Sequence, residues 1–530
     1  MKQKESFVGG AMALLVSGIV VKLLGALFKV PLTNLIGDSG MGLFSFAMQF
    51  FSLLFVVCAA GIPIAESHLV SEALALGRRD RAQAVVAHAA AVFGALALVL
   101  SALLAAFAPT LCRLFGESTR AAYCLAAVAP AVFFVTLEAA LRGWYQGTGN
   151  MIPTAVSQVA EAAGKLAIGL TLARLLLDRG FGAAGAAAGA AIGVSCGELA
   201  AMLYLLWSAR HGIRPALRAR RGGSSVLPRL IQLMVPVTLG AAVMTVSGFL
   251  DMAVLYRRLP AAGFSPAQIV AAYGAYTGMA MTLFNLPQAL SNAVSVSVLP
   301  ALSAAHARQN AAQVRRLATS SLRLTLLVCL PCGAGLFALS GPLLRLLFAS
   351  QPRGVLTAEP LLRLLGIAEP LVGLSAVTTA MLQSFGRPDL TVYAAAAGCT
   401  VKFAVSFSLT GMAQYNISAA PIGTLACYGV ILLCNLVSIV RLTGWLPPLG
   451  QALARPLLAS CGMAVSVYQL HGALVPRTGA AAAAVLSVCA AIPLYALLLV
   501  VLRALRAEDV LPLPGGKRLA RLLRLTPQSS

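Results

Sequence analysis

The chain has 530 residues, of which 59% are hydrophobic and only 10% are charged. Soluble domains carry about 25% charged residues, so this composition excludes an ordinary water-facing surface. The formal net charge of +23 would suit a nucleic-acid partner, but the arginines cluster at junctions between apolar segments. We therefore expect an integral membrane protein that binds no nucleic acid.

Apolar segments recur from one end of the chain to the other. A transmembrane helix needs about 20 mainly apolar residues. Because no small-residue cleavage site follows the first segment, we expect it to be a retained span rather than a signal peptide. The expected fold class is all-α, a polytopic membrane protein with about fourteen transmembrane helices. The predicted spans are 7–32, 42–65, 84–111, 121–144, 153–176, 184–208, 229–256, 269–298, 318–339, 360–384, 390–412, 419–441, 453–473 and 480–502.

Basic residues predict the orientation of the spans. Clusters follow the second, sixth, eighth and last predicted spans, and these junctions should face the cytoplasm by the positive-inside rule. Both termini are then cytoplasmic, although Arg257 and Arg258 fall on the outer side and do not fit. The clusters are Arg78, Arg79 and Arg81; Arg210, Arg214, Arg218, Arg220 and Arg221; Arg308, Arg315 and Arg316; and Arg503, Arg506, Lys517, Arg518, Arg521 and Arg524.

The two halves of the chain resemble each other at an offset of 237 residues, which relates Lys165 to Lys402 and Pro63 to Pro300. Six spans separate equivalent positions, so both halves enter the membrane in the same sense, as parallel repeats with a substrate path between them. A duplication without transport is the alternative. The repeat predicts a six-helix lobe at 1–222, a second at 223–445, two further transmembrane helices at 446–504 and a basic cytoplasmic tail at 505–530.

Several charged side chains lie inside predicted spans, where they are costly and usually face a bundle interior or a wet cavity. The basic ones predict a cationic, substrate-binding cavity. Lys22, Lys29 and Lys402 have no acidic residue three or four positions away, which favours them as anion ligands. The basic candidates are Lys22, Lys29, Arg142, Lys165 and Lys402.

Acidic residues in the spans are candidate charge partners or coupling groups: Glu138, Glu161 and Asp251. Glu138 lies four residues before Arg142, and Glu161 four before Lys165, a spacing at which side chains on one helix can pair. Structural neutralisation and direct substrate contact remain equal alternatives for these two pairs.

Motifs for chemistry are missing from the sequence. It contains no GxxxxGK[ST] and no HExxH, so we expect neither an ATPase nor any other enzyme. The eleven cysteines lie mostly in apolar runs without metal-ligand spacing. We predict no catalytic residue, no metal site and no cofactor.

Several motifs resemble the stage V sporulation protein B type of polysaccharide exporters. The first is Ile19-Val-Val-Lys-Leu-Leu-Gly-Ala-Leu-Phe-Lys-Val-Pro31, and the most specific are Arg142-Gly-Trp-Tyr-Gln-Gly147 and Asn150-Met-Ile-Pro-Thr-Ala-Val-Ser-Gln158. The resemblance covers nearly the whole chain. It implies the superfamily of multidrug, oligosaccharidyl-lipid and polysaccharide exporters, which includes the lipid II flippases. That family usually has arginine where this chain has Lys22, and lysine keeps the charge but loses the bidentate fork.

The resemblance implies a flippase of the cell membrane that works by alternating access. Its expected substrate is an anionic, polyprenyl-diphosphate-linked glycan such as a lipid II-like peptidoglycan precursor, moved to the outer leaflet for cell-wall or spore-cortex synthesis. Membrane lipids and cell-wall synthesis enzymes are the expected partners. A cation-coupled multidrug exporter of the same fold is the alternative, favoured if Glu138, Glu161 and Asp251 are unpaired. A non-transporting scaffold is a third reading, which leaves the buried lysines unexplained.

Overall fold

A computed structural model describes residues 2–117, 119–210, 226–446 and 449–504. The predicted boundary between the repeat lobes at 222/223 and the predicted tail at 505–530 lie outside these residues. So do several of the basic residues that predict the topology, namely Arg214, Arg218, Arg220, Arg221, Arg506, Lys517, Arg518, Arg521 and Arg524.

The secondary structure of the described residues is helical throughout, which agrees with the all-α prediction. By packing, the chain divides into two compact units, Met1–Gly278 and Met279–Ser530. The helices of the first unit are α1 (Lys2–Phe55), α2 (Ile62–Ala75), α3 (Arg79–Ala106), α4 (Ala108–Leu114), α5 (Ala121–Gly147), α6 (Ile152–Asp178), α7 (Gly182–Ala209), α8 (Val226–Arg258) and α9 (Pro266–Gly274).

The second unit consists of eight helices in the described residues. Two of them, α10 and α13, pack closely along their lengths, and α11 packs against both α13 and α16. The helices are α10 (Met281–Ala307), α11 (Ala311–Ala338), α12 (Ser340–Leu347), α13 (Pro352–Ser384), α14 (Pro388–Thr410), α15 (Ala419–Thr443), α16 (Leu449–Thr478) and α17 (Ala480–Val501).

Twelve helical stretches in the described ranges are long and apolar enough to cross a membrane. One of them, Val16–Ala75, is 60 residues long and contains the predicted span 42–65 and most of the predicted span 7–32. Gly37 interrupts it with φ 74° and ψ 178°, a backbone conformation that L-residues rarely adopt. The helix α6 is 27 residues long but carries Glu161 and Lys165, and it is not among the twelve.

An aromatic cluster joins α1, α8 and the residue that follows α4 in the first unit. Phe46 and Phe50 on α1 contact Phe115, which follows α4, at centroid distances of 5.9 and 5.8 Å. Phe249 on α8 lies 5.2 Å from Phe50, and Tyr256 lies 5.4 Å from Phe46. Edge-to-face pairs at such distances contribute about 0.5–1.5 kcal/mol each beyond their buried area. The cluster therefore anchors α8 against α1.

Glycines bring α6 and α7 into close contact. Glycine recurs at positions 182, 185, 189 and 193 of α7, and such small residues let the backbones of neighbouring helices approach. A Cβ atom on Gly193 would collide with the backbone of Gly169 on α6, and one on Gly197 would lie 2.6 Å from the Glu161 carbonyl oxygen. Side chains near this contact can therefore meet across the two helices.

We expect Gly193→Ala to lower the unfolding temperature, because the added methyl forces the α6 and α7 backbones apart. Overpacking of this kind costs about 1–3 kcal/mol. The measurement is thermal unfolding of the purified protein in detergent. The control is Gly335→Ala on α11, where a Cβ would meet nothing within 4 Å. Equal unfolding temperatures for both variants would contradict the close contact.

Candidate functional site

Three neighbouring helices of the first unit carry five charged residues whose side chains lie close together. Glu138 and Arg142 lie on α5, Glu161 and Lys165 on α6, and Glu198 on α7. The helices α6 and α7 make the most extensive helix contact in the described residues, and α5 packs against α7. This packing brings four predicted site residues together with one that was not predicted.

Arg142 is the centre of the group. Its guanidinium pairs with Glu138 on the same helix, as the spacing of four predicts, and its Nη2 also lies 3.2 Å from Glu161 Oε2. Its Nε donates a hydrogen bond to Ser157 Oγ at 3.0 Å. The Glu138 side chain is fully buried, whereas that of Arg142 is 14% exposed. Arg142 therefore neutralises a buried carboxylate, while part of its own side chain remains exposed.

Lys165 is more loosely held than Arg142. Its Nζ is 4.0 Å from Glu161 Oε1, which confirms the predicted pair at the limit of an ion-pair distance, and its side chain is 25% exposed. Half-buried Lys29 on α1 lies near enough for the two ammonium charges to repel each other. We call Lys29, Arg142 and Lys165 the basic cluster.

Glu198 is the residue that sequence reasoning missed as part of the site. It is 2% exposed, and oxygen atoms of Glu138, Glu161 and Glu198 all lie within 4.8 Å of one another. We call these three residues the carboxylate triad. The sequence signal was the adjacent Gly197, which lets α7 approach the α6 backbone and so places Glu198 beside Glu161.

The remaining candidates of the first unit lie outside this group. Lys22 is exposed on α1. On the same helix, Ser17 Oγ donates a hydrogen bond to Gln158 Oε1 on α6 at 3.2 Å. Asp251 is buried on α8 and lies near Tyr273 on α9. The two acids predicted on α5 and α6 thus belong to the triad, whereas Asp251 does not.

Lys402 lies in the second unit, half-buried on α14. Tyr428 on α15 lies near Lys402 and near Glu369 on α13. Glu369 is fully buried, and neither of its carboxylate oxygens has a hydrogen-bond partner in the described residues. The second unit therefore has a polar group of its own around the repeat equivalent of Lys165.

A cavity of about 980 Å³ opens at one end of the first unit, lined in part by Ser39, Glu117, Arg120, Tyr123 and Phe181. Its size falls in the range of small-molecule sites. None of the predicted site residues lines it, and no sequence pattern distinguished Arg120 from other junction arginines.

The charged residues of the first unit are suited to binding a charged group rather than to catalysing a reaction. Arginine can bind phosphate through two parallel N–H···O bonds, and lysine offers a mobile point charge. The triad oxygens are the kind of ligand that hard cations take.

Comparison with known proteins assigns the chain to transporters. The family model described as polysaccharide biosynthesis protein matches residues 7–306, and the MatE model matches residues 236–408. Stage V sporulation protein B of Bacillus subtilis is 26% identical over 521 residues, which cover 96% of this chain and 98% of that protein. Lipid II flippase MurJ of the same organism is 23% identical over 484 residues, covering 87% and 88%.

Solved structures show the same fold. The lipid II flippase MurJ in its inward closed conformation superposes with a TM-score of 0.69 at 17% identity, over 91% of this chain and 97% of that one. An inward-facing multidrug resistance MATE family transporter of the MOP superfamily gives 0.65 at 15% identity, over 80% and 95%. The chain is a polytopic, all-α membrane protein with the MATE and MurJ fold.

Proposed function

This chain belongs to the polysaccharide biosynthesis protein family, whose members are transporters and not enzymes, and from that premise we propose that it is a lipid-linked glycan flippase. It is a transporter of the MOP superfamily. The proposed substrate is an anionic, polyprenyl-diphosphate-linked oligosaccharide or a lipid II-like peptidoglycan precursor. Movement from the cytoplasmic to the outer leaflet, by alternating access, would serve cell-wall or spore-cortex synthesis.

The basic cluster is the observation that carries this proposal. Lys29 and Lys165 lie near enough for their positive charges to repel each other, and Lys165 has one weak contact, with Glu161 at 4.0 Å. Like charges near each other inside a helical bundle are unfavourable, and a bound anion would relieve their repulsion. A diphosphate group supplies more than one negative charge, and its passage through hydrocarbon is prohibitive without such compensation.

The pairing of the acids argues against the alternative, a cation-coupled multidrug exporter. That reading required Glu138, Glu161 and Asp251 to be unpaired. Instead, Arg142 pairs with Glu138 and with Glu161, and Asp251 also has an interaction of its own. Lys165, in contrast, has only one weak contact, at 4.0 Å from Glu161. The balance favours an anionic substrate over a cationic drug.

We further propose fourteen transmembrane helices, two parallel six-helix lobes at 1–222 and 223–445, and cytoplasmic termini. The break at Gly37 would divide α1 into the end of the first span and the start of the second. Dividing that stretch raises the number of spans from twelve to thirteen. The helix α6, which is long but carries charges, would be the fourteenth. Lys22, Lys402 and the basic cluster would then contribute to a cationic, substrate-binding cavity.

We expect the wild-type chain to restore growth of a bacterium that lacks its lipid II flippase. Lys29→Ala and Lys402→Ala should fail or restore it weakly, because each removes a charge that compensates the diphosphate. Colony formation after depletion of the resident flippase is the measurement, with membrane levels of each variant checked by immunoblot. Lys22→Ala tests whether the exposed lysine belongs to the same cavity.

Equal rescue by the wild type and all three lysine variants would contradict the cationic site. No rescue by the wild type, when it is present in the membrane at normal levels, would count against a lipid II-like substrate.

A further inference from the structure

The cavity of about 980 Å³ in the first unit lies apart from the charged group on α5, α6 and α7. Its lining includes Ser39 and residues of the segments 117–123, 180–185 and 266–270. These parts of the chain lie at the junctions after the first, third, fifth and seventh predicted spans. In the proposed topology all four junctions are on the outer side of the membrane, the side to which a glycan would be delivered.

The turn between α6 and α7 presents an aromatic ring at this cavity. Phe181 lies between Gly180 (φ 83°) and Gly182 (φ 66°), and both glycines have left-handed backbone conformations that favour this residue. A Cβ atom on Gly185 would collide with the Cβ of Phe181. The ring is 65% exposed and lines the cavity. Three glycines thus hold the phenylalanine at the cavity wall rather than in the helical core.

A second exposed ring belongs to the start of α5. Tyr123 is 67% exposed and also lines the cavity. A sugar ring has an apolar face of C–H groups and an edge of hydroxyls, so exposed aromatic rings bind it by stacking on the apolar face. Aromatic pockets with a few well-placed polar groups are the usual form of a small-molecule site. The two rings supply the apolar part of such a site.

The polar groups of the lining include both donors and acceptors. Arg120 is exposed and offers guanidinium donors. The first N–H groups of an α-helix have no partner within it, and no side chain caps α7, where Ala183 and Ala184 line the cavity. Glu117 is 6% exposed and offers carboxylate oxygens, while an interaction of its own holds it in place. Hydroxyl groups both donate and accept, so they match this mixture.

The charge of the lining excludes an ionic ligand as the best match. Its two charged side chains, Glu117 and Arg120, have opposite signs, so the lining is neutral as a whole. A diphosphate would meet the carboxylate of Glu117, and a cationic drug would meet Arg120. We propose that this cavity binds one or two neutral sugar rings. That these rings belong to the exported glycan rests on the proposed function, whereas the site itself does not.

The test is titration calorimetry of the purified full-length protein with N,N′-diacetylchitobiose, a neutral disaccharide. The detergent is lauryl dimethylamine oxide, because the sugar head groups of maltosides would compete. Wild-type protein should bind the disaccharide saturably. Phe181→Ala should weaken binding about three- to tenfold by removing a stacking surface. Ala267→Trp, which adds bulk at an exposed lining position, should abolish binding.

Matched variants outside the lining control for general effects of losing an exposed ring or charge. Phe107→Ala, at a residue that is 53% exposed, should bind as the wild type does. Arg120→Ala should weaken binding, whereas Arg113→Ala, which changes an exposed arginine at the end of α4, should not. All of these substitutions except Ala267→Trp shorten exposed side chains, and thermal unfolding verifies that each variant is folded.

Three outcomes overturn the proposal. The first is wild-type protein without saturable binding of the disaccharide. The second is equal binding by the wild type, Phe181→Ala and Ala267→Trp, which would place the sugar elsewhere. The third is a phospholipid that native mass spectrometry finds on the wild type but not on these two variants, together with no sugar binding, which would make the cavity a lipid site. Sugar binding alongside failure of the growth test would count against the flippase proposal alone.

Discussion

Arg142→Ala should lower the free energy of unfolding by about 3–5 kcal/mol, the usual cost of removing one partner from a buried ion pair. The reason is that one guanidinium serves Glu138, Glu161 and Ser157, on two helices. Without it, the fully buried Glu138 carboxylate loses its ion-pair partner. The measurement is thermal unfolding in detergent, where the variant should show a clearly lower unfolding temperature.

Two comparisons separate this effect from a general loss of charge. Arg174→Ala on α6 removes an exposed pair with Asp178 at 3.8 Å and should leave the unfolding temperature almost unchanged. The double variant Arg142→Ala, Glu138→Gln should recover part of the loss, since it leaves no buried charge unpaired at position 138. If Arg142→Ala unfolds at the wild-type temperature, the paired geometry does not contribute to stability.

Hydrophobic segments of the sequence were enough to predict the helices. The predicted span 121–144 lies within α5 (Ala121–Gly147), and 480–502 corresponds to α17 (Ala480–Val501). In a membrane, runs of about 20 apolar residues can form all their backbone hydrogen bonds only as helices or closed barrels. The short helices α4 and α12 were not predicted, because seven or eight residues are too few for a periodic signal.

Of the contacts in the site, only those between residues of the same helix could be predicted from the sequence. The pairs Glu138–Arg142 and Glu161–Lys165 follow from a spacing of four residues, which places side chains on one helix face. The contact of Arg142 with Glu161, and the approach of Glu198, depend on how closely α5, α6 and α7 pack. That distance is set by the glycines of α7, whose partners on α6 cannot be read from one sequence.

Lys29→Ala and Lys165→Ala are each expected to weaken the binding of farnesyl diphosphate, a short polyprenyl diphosphate used as the probe, about 10- to 100-fold. Hydrogen bonds to charged groups contribute about 1.5–3 kcal/mol, and each 1.4 kcal/mol corresponds to a factor of ten in affinity. Both side chains are half-buried, so solvent screens their charges less than at the surface. Titration calorimetry of the purified protein measures the dissociation constant for each variant.

Repulsion between the two lysines makes their double variant informative. Removing either lysine also removes the repulsion between their charges, so the two losses should not simply add. Lys165→Arg keeps the charge and offers two donors to phosphate, and it should bind the probe at least as well as the wild type. Arg387→Ala breaks an exposed pair with Asp389 and should have no effect. Unchanged affinity in both alanine variants would mean that Lys29 and Lys165 only balance charge within the bundle, and the diphosphate would then have to be recognised elsewhere.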